Sequence, residues 1–582
     1  MNVPLWLVLV LAYLPPLLSV VRSKLGYLSI TLLSITLASL SIIEPNGVFS
    51  YFLLLSSIVW LIISTFSLFS PCERLLEALL SLSISGMVTI LESTNYLEFL
   101  VGWEVMSIPI YAYIAIKGNY KSAFVFIAFS EISTVLLLFS FIIASTQSMY
   151  FAPLSSPLPL IIGSIGFIVK MGVTPFMVAE WLPISQGNTP GNMSALISST
   201  VTLMGVYGIV RMSSLTGFIP IGFPLALMIL GAVTTFFGAL YAYVSESIKG
   251  ALAFSTVENN GAMLSELGIF MVSKSLGMLE LEYLSLYGVI LYSFAHSIAK
   301  TGLFLTSSLQ GSTAISLAKK IRDKLYSIAL VLISTSMSGL LPNLGGVSSW
   351  LLLELLFISA YILHNSSSIF FIISGFTIAM GEGFATAFMI KYVSYLSVFK
   401  RDEERVYKPL SVPIFTSGLL VFLLGFTLPY VLYPYKTSLL SLGMIFNSVL
   451  ITCYNGHTFG GISPLYIVLM VATLSSATYI AFGRPKTRKV RTWNNGVVDQ
   501  EEYTAYALSN NVRLMLRKIL RHESVYINTD ATDVVWKEMI RIGIMIRKIG
   551  KLVGRNLVNS SIQWYIIYLI ITVLLIVVII TL

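Results

Sequence analysis

Residues 161–176 read IIGSIGFIVKMGVTPF. An apolar run carries one lysine, Lys170, and then meets Gly172 and Pro175. Proline removes a backbone donor and glycine relaxes the turn, so the spacing predicts a membrane helix interrupted just after a buried charge. A second stretch, GLLPNLGGVSSW, repeats the pattern with Pro342, Gly345 and Gly346. Interrupted helices at corresponding places in two halves of a chain are the mark of an inverted-repeat transporter with its sites near the midplane.

The rest of the chain fits a membrane setting. Of 582 residues, 56% are hydrophobic and 10% are charged, and the mean hydropathy is +0.87. A soluble domain carries about 25% charged residues, so a soluble protein is excluded. A helix needs about 20 mostly apolar residues to cross a bilayer. Such runs occur at 4–21, 25–43, 51–70, 75–92, 95–116, 120–145, 157–178, 192–213, 218–244, 249–273, 283–309, 325–341, 349–363, 368–399, 410–433, 437–453, 464–482 and 562–582. The first has no basic region before it and no small-residue cleavage site, and is expected to stay as a membrane helix. The predicted organisation is N-terminal helices over 1–74, a core over 75–400, further helices over 401–483, a hydrophilic segment over 484–561 and a last helix over 562–582.

Chemistry that needs a resident group finds no foothold. Cys72 and Cys453 stand apart, as do His296, His364, His457 and His522, and no spacing suits zinc or an iron–sulfur cluster. No glycine-rich phosphate loop follows a strand. The expectation is no cofactor on this chain, with any redox group on another subunit. The net charge of +9 is concentrated: between Arg484 and Arg555 fifteen Lys/Arg face seven Asp/Glu. Within that segment Val535, Met539, Ile542, Met545, Ile546 and Ile549 follow helical spacing among basic residues, as in a helix lying on a membrane surface or along a partner subunit. Lipid headgroups or a partner, not nucleic acid, are the expected contact.

Charges inside apolar runs carry the functional signal. They are Glu104, Glu131, Lys170, Glu258, Glu266, Lys300, Glu354, Glu382 and Lys391, joined by His296. Each costs about 2.5–3.5 kcal/mol at the bilayer centre on insertion scales, and persists where it is paired or where function requires it. Carboxylates, lysines and a histidine in successive helices supply what a proton relay needs, groups that hold or release a proton according to burial and neighbours. Buried ion pairs that only fix helix register are the other reading of the same residues. His296 and Lys300 are four apart in FAHSIAKTGLFL and share one helix face.

The ordered motifs resemble a known family. Lys170-Met-Gly-Val-Thr-Pro175, Trp181-Leu-Pro183, Pro190 and Ser194-Ala-Leu196 resemble the signature of antiporter-like subunits of respiratory complex I and its relatives. Phe99-Leu-Val-Gly-Trp103-Glu104 looks like that family's Trp-Glu helix, His296-Ser-Ile-Ala-Lys300 its His-x-x-x-Lys helix, and Ser338-Gly-Leu-Leu-Pro342 with Gly345 its second interrupted helix. Val257-Glu-Asn-Asn-Gly261, Trp493-Asn-Asn-Gly496 and Ser561-Ile-Gln-Trp-Tyr565 are similar to the hydrogenase-4 and formate hydrogenlyase branch, component B type. The resemblance covers residues 75–400 and, more loosely, the C-terminal region.

It implies an all-α polytopic membrane bundle with two inverted five-helix repeats. It also implies translocation of protons, or of sodium ions, driven by electron transfer in membrane and peripheral partner subunits of an oxidoreductase. Glu104 and Lys170 would form the coupled pair of the first half, and His296 and Lys300 would belong to the second half and the central axis. Three places depart from the pattern. Leu203 stands where a lysine is usual before Tyr207-Gly208, Ser349 stands where Lys or Glu precedes the aromatic Trp350, and Ser185-Gln186 replaces Ala-His. Glu354, Lys391 or Glu382 would then have to compensate in the second half. The departures also motivate a structural membrane-arm subunit that no longer pumps. A component of a multisubunit cation/proton antiporter is the third reading, which neighbouring hydrogenase-like genes would argue against.

Positive charge concentrates on the cytoplasmic side of membrane proteins, although long loops obey the rule weakly. A cysteine placed at Asn495 is expected to resist an impermeant thiol reagent in intact cells, and labelling from outside would overturn the assignment.

Overall fold

The computed structural model describes residues 5–43, 47, 49–117, 119–173, 181–363, 367–398, 403–404, 407–431, 443–446, 449–454, 457–483 and 509–515, and, later, Arg541, Ile544, Met545 and Lys548. Two compact units divide the chain at Arg521 and His522. In the second, the four described residues are helical and exposed. Pro175, the predicted span 562–582 and nearly all of the basic segment lie outside the described residues.

Helices dominate the first unit: α1 (Leu5–Val21), α2 (Leu25–Ile43), α3 (Phe49–Phe69), α4 (Arg74–Glu92), α5 (Tyr96–Ile116), α6 (Tyr120–Ser145), α7 (Leu158–Met171), α8 (Trp181–Gly187), α9 (Gly191–Leu196), α10 (Thr202–Leu215), α11 (Gly222–Val244), α12 (Ile248–Ser275), α13 (Leu279–Ser308), α14 (Lys324–Met337), α15 (Leu344–Leu363), α16 (Ser368–Val393), α17 (Lys408–Val431), α18 (Pro464–Phe482) and α19 (Asn510–Met515). Among the described residues, twelve helices are long and apolar enough to cross a membrane. Their outer surface confirms the setting. Along α6 the exposed side chains include Phe124, Ile132, Val135, Leu138, Phe139 and Ile142, a face that suits lipid and that a water-soluble monomer would hide. The chain is a multi-pass membrane protein.

Helix starts are fixed by short polar side chains, which satisfy backbone donors that lipid cannot. Asn95 accepts from the Glu98 amide, Asn119 from Ser122, Ser247 from Gly250, and Asp323 from Leu325 and Tyr326. For α2 the cap comes from another helix. Glu77 of α4, fully buried, accepts from the backbone amides of Lys24 at 2.8 Å and Tyr27 at 2.9 Å, and from the Cys72 thiol at 3.0 Å.

The inverted repeat is visible in the order of elements. Five spans run from α4 to α10, the fourth being α7 with α8 and the fifth α9 with α10; five more run from α11 to α16, the fourth being α14 with α15. An odd number of spans turns the second set upside down relative to the first. In both sets the fourth span starts with a 14-residue helix closed by a left-handed glycine, Gly172 (φ 76°) after α7 and Gly339 (φ 64°) after α14. Only glycine takes that backbone at no steric cost, so it stops the helix where a side chain would clash. Pro342 lies in the connection between α14 and α15.

Two contacts set the core. Between α11 and α12, a Cβ on Gly261 would sit 2.7 Å from the Gly231 carbonyl oxygen, so these backbones touch as small-residue membrane helices do. Helix α13 threads the middle, packing on α3, α9, α12, α14, α15 and α17, and the central part of its apolar stretch is buried throughout.

One predicted span differs. Residues 437–453 were read as an apolar helix, but Gly443–Phe446 (β3), Val449–Tyr454 (β4) and His457–Ile462 (β5) form a three-stranded antiparallel sheet. Paired Tyr454 and His457 flank Asn455-Gly456, the sequence pattern of a two-residue hairpin. Hydropathy averaged over the run concealed it. A two-residue pairing also joins β1 (Lys320–Ile321) to β2 (Glu403–Glu404) in parallel. Elsewhere α2, α6 and α18 match their predicted bounds residue for residue.

The Glu77 cap gives a stability test. Glu77→Ala leaves the buried Tyr27 amide and the part-buried Lys24 amide without their acceptor and is expected to cost about 1–3 kcal/mol. It should lower the thermal midpoint of the purified protein in detergent, and an unchanged midpoint would show that the cap is dispensable.

Candidate functional site

Lys170 ends α7 and is buried at 1% exposure. Its ammonium donates to the Ser107 hydroxyl of α5 at 2.6 Å and to the Ser130 hydroxyl of α6 at 3.0 Å. The rings of Trp103 and Phe126 stand 5.4 Å away each, within cation–π range. Glu104 is half-buried one turn before Ser107. Its carboxylate accepts from Thr134 Oγ1 at 2.6 Å, and Thr134 lies one turn beyond Ser130 on α6. The lysine and the carboxylate thus take separate hydroxyl partners on the same two helices, α5 and α6, and Thr134 also donates to the Ser130 carbonyl at 3.1 Å. Glu131, next to Ser130, is exposed on the outer side of α6.

The second cluster surrounds α13. Between α9 and α10 the backbone widens into a π turn over Ile197–Val201. Such turns leave carbonyl oxygens free for other partners and often mark functional sites. Two of them are used here: the Ser198 oxygen lies 3.2 Å from His296 Nε2, and the Ser199 oxygen accepts from the Ser297 hydroxyl at 2.8 Å. A carbonyl only accepts, so His296 carries its proton on Nε2. Its Nδ1 has no hydrogen-bond partner among the described residues. One turn on, buried Lys300 donates to the Leu252 carbonyl of α12 at 3.1 Å.

Helix α12 brings two buried carboxylates. Glu258 accepts from Ser255 at 3.0 Å and lies within electrostatic reach of Lys300 and Glu382. Glu266 has no hydrogen-bond partner among the described residues and abuts Gly288 of α13. The two clusters are bridged by polar contacts. Asn260 of α12 donates to the Met171 carbonyl at the end of α7. Ser198 and Thr256 share a hydrogen bond at 2.7 Å.

The remaining predicted residues lie apart. Glu354 of α15 accepts from Thr452 of β4 at 3.0 Å, on the side of the small sheet. Lys391, fully buried on α16, donates to the carbonyls of Tyr243 at 3.0 Å and Ser245 at 2.8 Å. It thereby closes the C-terminal end of α11, where a cation also meets the negative end of the helix dipole. Leu203 is buried in α10. Sequence reasoning missed Ser107, Ser130 and Thr134. Their signal was present as helical spacing: Ser107 follows Glu104 by three, and Thr134 follows Ser130 by four.

Interrupted helices, buried lysines and carboxylates, and a twice-repeated five-span unit together define an antiporter-like membrane subunit. Residues 93–381, nearly half of the chain, match the family described as NADH:quinone oxidoreductase/Mrp antiporter, TM. Hydrogenase-4 component B of Escherichia coli is 28% identical over 39% of this chain and 36% of that protein. Formate hydrogenlyase subunit 3 of the same organism is 32% identical over 39% of this chain and 38% of the relative. The matched stretches thus span little more than a third of those relatives' length. A chain of the membrane-bound sulfane sulfur reductase, an archaeal respiratory membrane complex, has the same fold, with TM-score 0.78 and 18% identity over 98% of this chain and 99% of that one.

Removing both hydroxyl acceptors strands a buried ammonium. Ser107→Ala with Ser130→Ala is expected to destabilise the purified protein by about 1–3 kcal/mol, read as a lower thermal midpoint. The further change Lys170→Met should recover most of the loss, because it removes the group left without partners. No recovery would mean that the serines stabilise the fold independently of Lys170.

Proposed function

We propose that this chain is the ion-translocating membrane subunit of a complex I-like or hydrogenase-like oxidoreductase. It carries protons, or sodium ions, across the membrane while partner subunits transfer electrons. The observation that carries the reading is Lys170: a fully buried lysine at a helix interruption, held by two hydroxyls, with Glu104 within electrostatic reach and bonded to Thr134 on the same helix as Ser130. A carboxylate that approaches a buried ammonium favours its charged form, and one that withdraws favours the neutral amine. Each tenfold change in that balance corresponds to about 1.4 kcal/mol. Small movements of Glu104 against Lys170 would load and unload one proton, with Ser107, Ser130 and Thr134 as the intervening donors and acceptors. His296 and Lys300 on α13 would continue the path, with Glu258 beside Lys300.

A second reading, a structural subunit of the same kind of complex, is favoured by one observation. Leu203 places an apolar side chain on α10 where the resemblance leads one to expect a lysine, and so removes one titratable group.

Substitution separates the two. In a translocating subunit, Lys170→Met leaves the complex assembled and electron transfer running, while proton or sodium uptake into vesicles falls by about tenfold or more. In a structural subunit the same change impairs assembly, and Glu104→Gln combined with Lys170→Met largely restores it. Full ion translocation by an assembled Lys170→Met complex would refute the role proposed for this residue.

A further inference from the structure

Position 349 poses a problem for the second half. The resemblance places a lysine or glutamate there, and the sequence has Ser349. The Ser349 hydroxyl of α15 donates to the Glu382 carboxylate of α16 at 2.9 Å. The carboxylate missing from α15 is thus present within one hydrogen bond of that position, supplied by the next helix. Glu382 is half-buried and lines a cavity of about 10 Å³ together with His296, Tyr292, Asn259 and Ser349, close to the minimum that admits one ordered water.

The local backbone is built to hold Glu382 there. At the break after α14, a Cβ on Gly339 would stand 3.1 Å from Glu382 Oε2, so the glycine leaves room for the carboxylate. Thr386, one turn along α16, donates to the Ser338 carbonyl beside that break at 3.2 Å. The other two acids and bases that could have compensated are engaged elsewhere, Glu354 with Thr452 and Lys391 with the end of α11.

We infer that Glu382 is the proton-carrying group of the second half, taking over on α16 the task that Ser349 cannot perform on α15. This rests on the translocation reading above. A proton reaching Nδ1 of His296 makes an imidazolium. Its transfer through one water to the Glu382 carboxylate restores the neutral imidazole and leaves a carboxylic acid. Loss of that proton to the membrane surface regenerates the carboxylate. Ser349 donates to the carboxylate and positions it.

The test uses the full chain in its native complex, reconstituted in vesicles, with ion uptake measured per electron transferred. Glu382→Gln keeps an acceptor for Ser349 but cannot ionise. It is expected to assemble, to keep its thermal midpoint and to lose translocation by about tenfold or more. The double variant Ser349→Glu with Glu382→Ser moves the carboxylate back across the hydrogen bond and is expected to recover translocation. A purely structural pairing would be satisfied by glutamine, so wild-type uptake in Glu382→Gln overturns the inference. If Glu382→Gln fails to assemble, the double variant decides: uptake supports the inference, and an assembled complex without uptake overturns it. Lys170→Met runs in parallel. Loss there with normal uptake in Glu382→Gln defeats this inference alone, whereas normal uptake in both defeats the translocation reading as well.

Discussion

Everything in this protein follows from the absence of water inside a bilayer. Each backbone amide and each charged side chain must find its partner within the protein. The Lys170 ammonium shows how this is met without a direct ion pair. Two serine hydroxyls accept from it and two aromatic rings face it. Hydroxyls can both donate and accept, so they satisfy the lysine in its charged form and its neutral form alike. A rigid carboxylate contact would favour only one. Glu104 takes its hydrogen bond from Thr134 instead.

The same constraint separates the charges that close helix ends from those that gather around α13. Glu77 and Lys391 are buried as deeply as Lys170, yet each is spent on helix ends, Glu77 on the first amides of α2 and Lys391 on the last carbonyls of α11. Around α13 the partners are instead single carbonyls released by a π turn or by a neighbouring helix, and one nitrogen of His296 is left over. Burial alone therefore does not distinguish the two roles. The number and kind of partners does.

Much of this was legible in the sequence. Apolar runs bounded by turn residues gave α2, α6 and α18 to the residue, because each is one bilayer crossing long and is punctuated at both ends. The pairing of interruptions at Gly172 and Gly339 was also readable, since glycine and proline punctuate locally. Residues 437–453 were misread because an apolar average does not distinguish a helix from paired strands. In the second half the sequence put forward Glu354 and Lys391 first, with Glu382 as a further substitute. Separating them required knowing which helix lies beside α15, a long-range fact that no local spacing contains. Ser107, Ser130 and Thr134 went unnoticed for a different reason. Serine and threonine are scattered through every span, and most of them bond back to their own helix, as Ser57 and Thr200 do.

The close approach of α11 and α12 bears on how such a subunit can work. Gly231 and Gly261 bring the two backbones into contact, Gly238 lies against the backbone of Glu258, and the Ser265 hydroxyl is bonded to the Met228 carbonyl across the seam. Sliding or rotating one helix against the other would drive main-chain atoms into each other, and packed interiors resist that strongly. The helix that bears Glu258 and Glu266 is therefore clamped to its neighbour. Both helices belong to the second five-span set, so any mechanism that shears helices inside that half would have to break this seam. Transport built on it favours reorienting side chains and water threaded past a stationary frame, a wire in place of a gate.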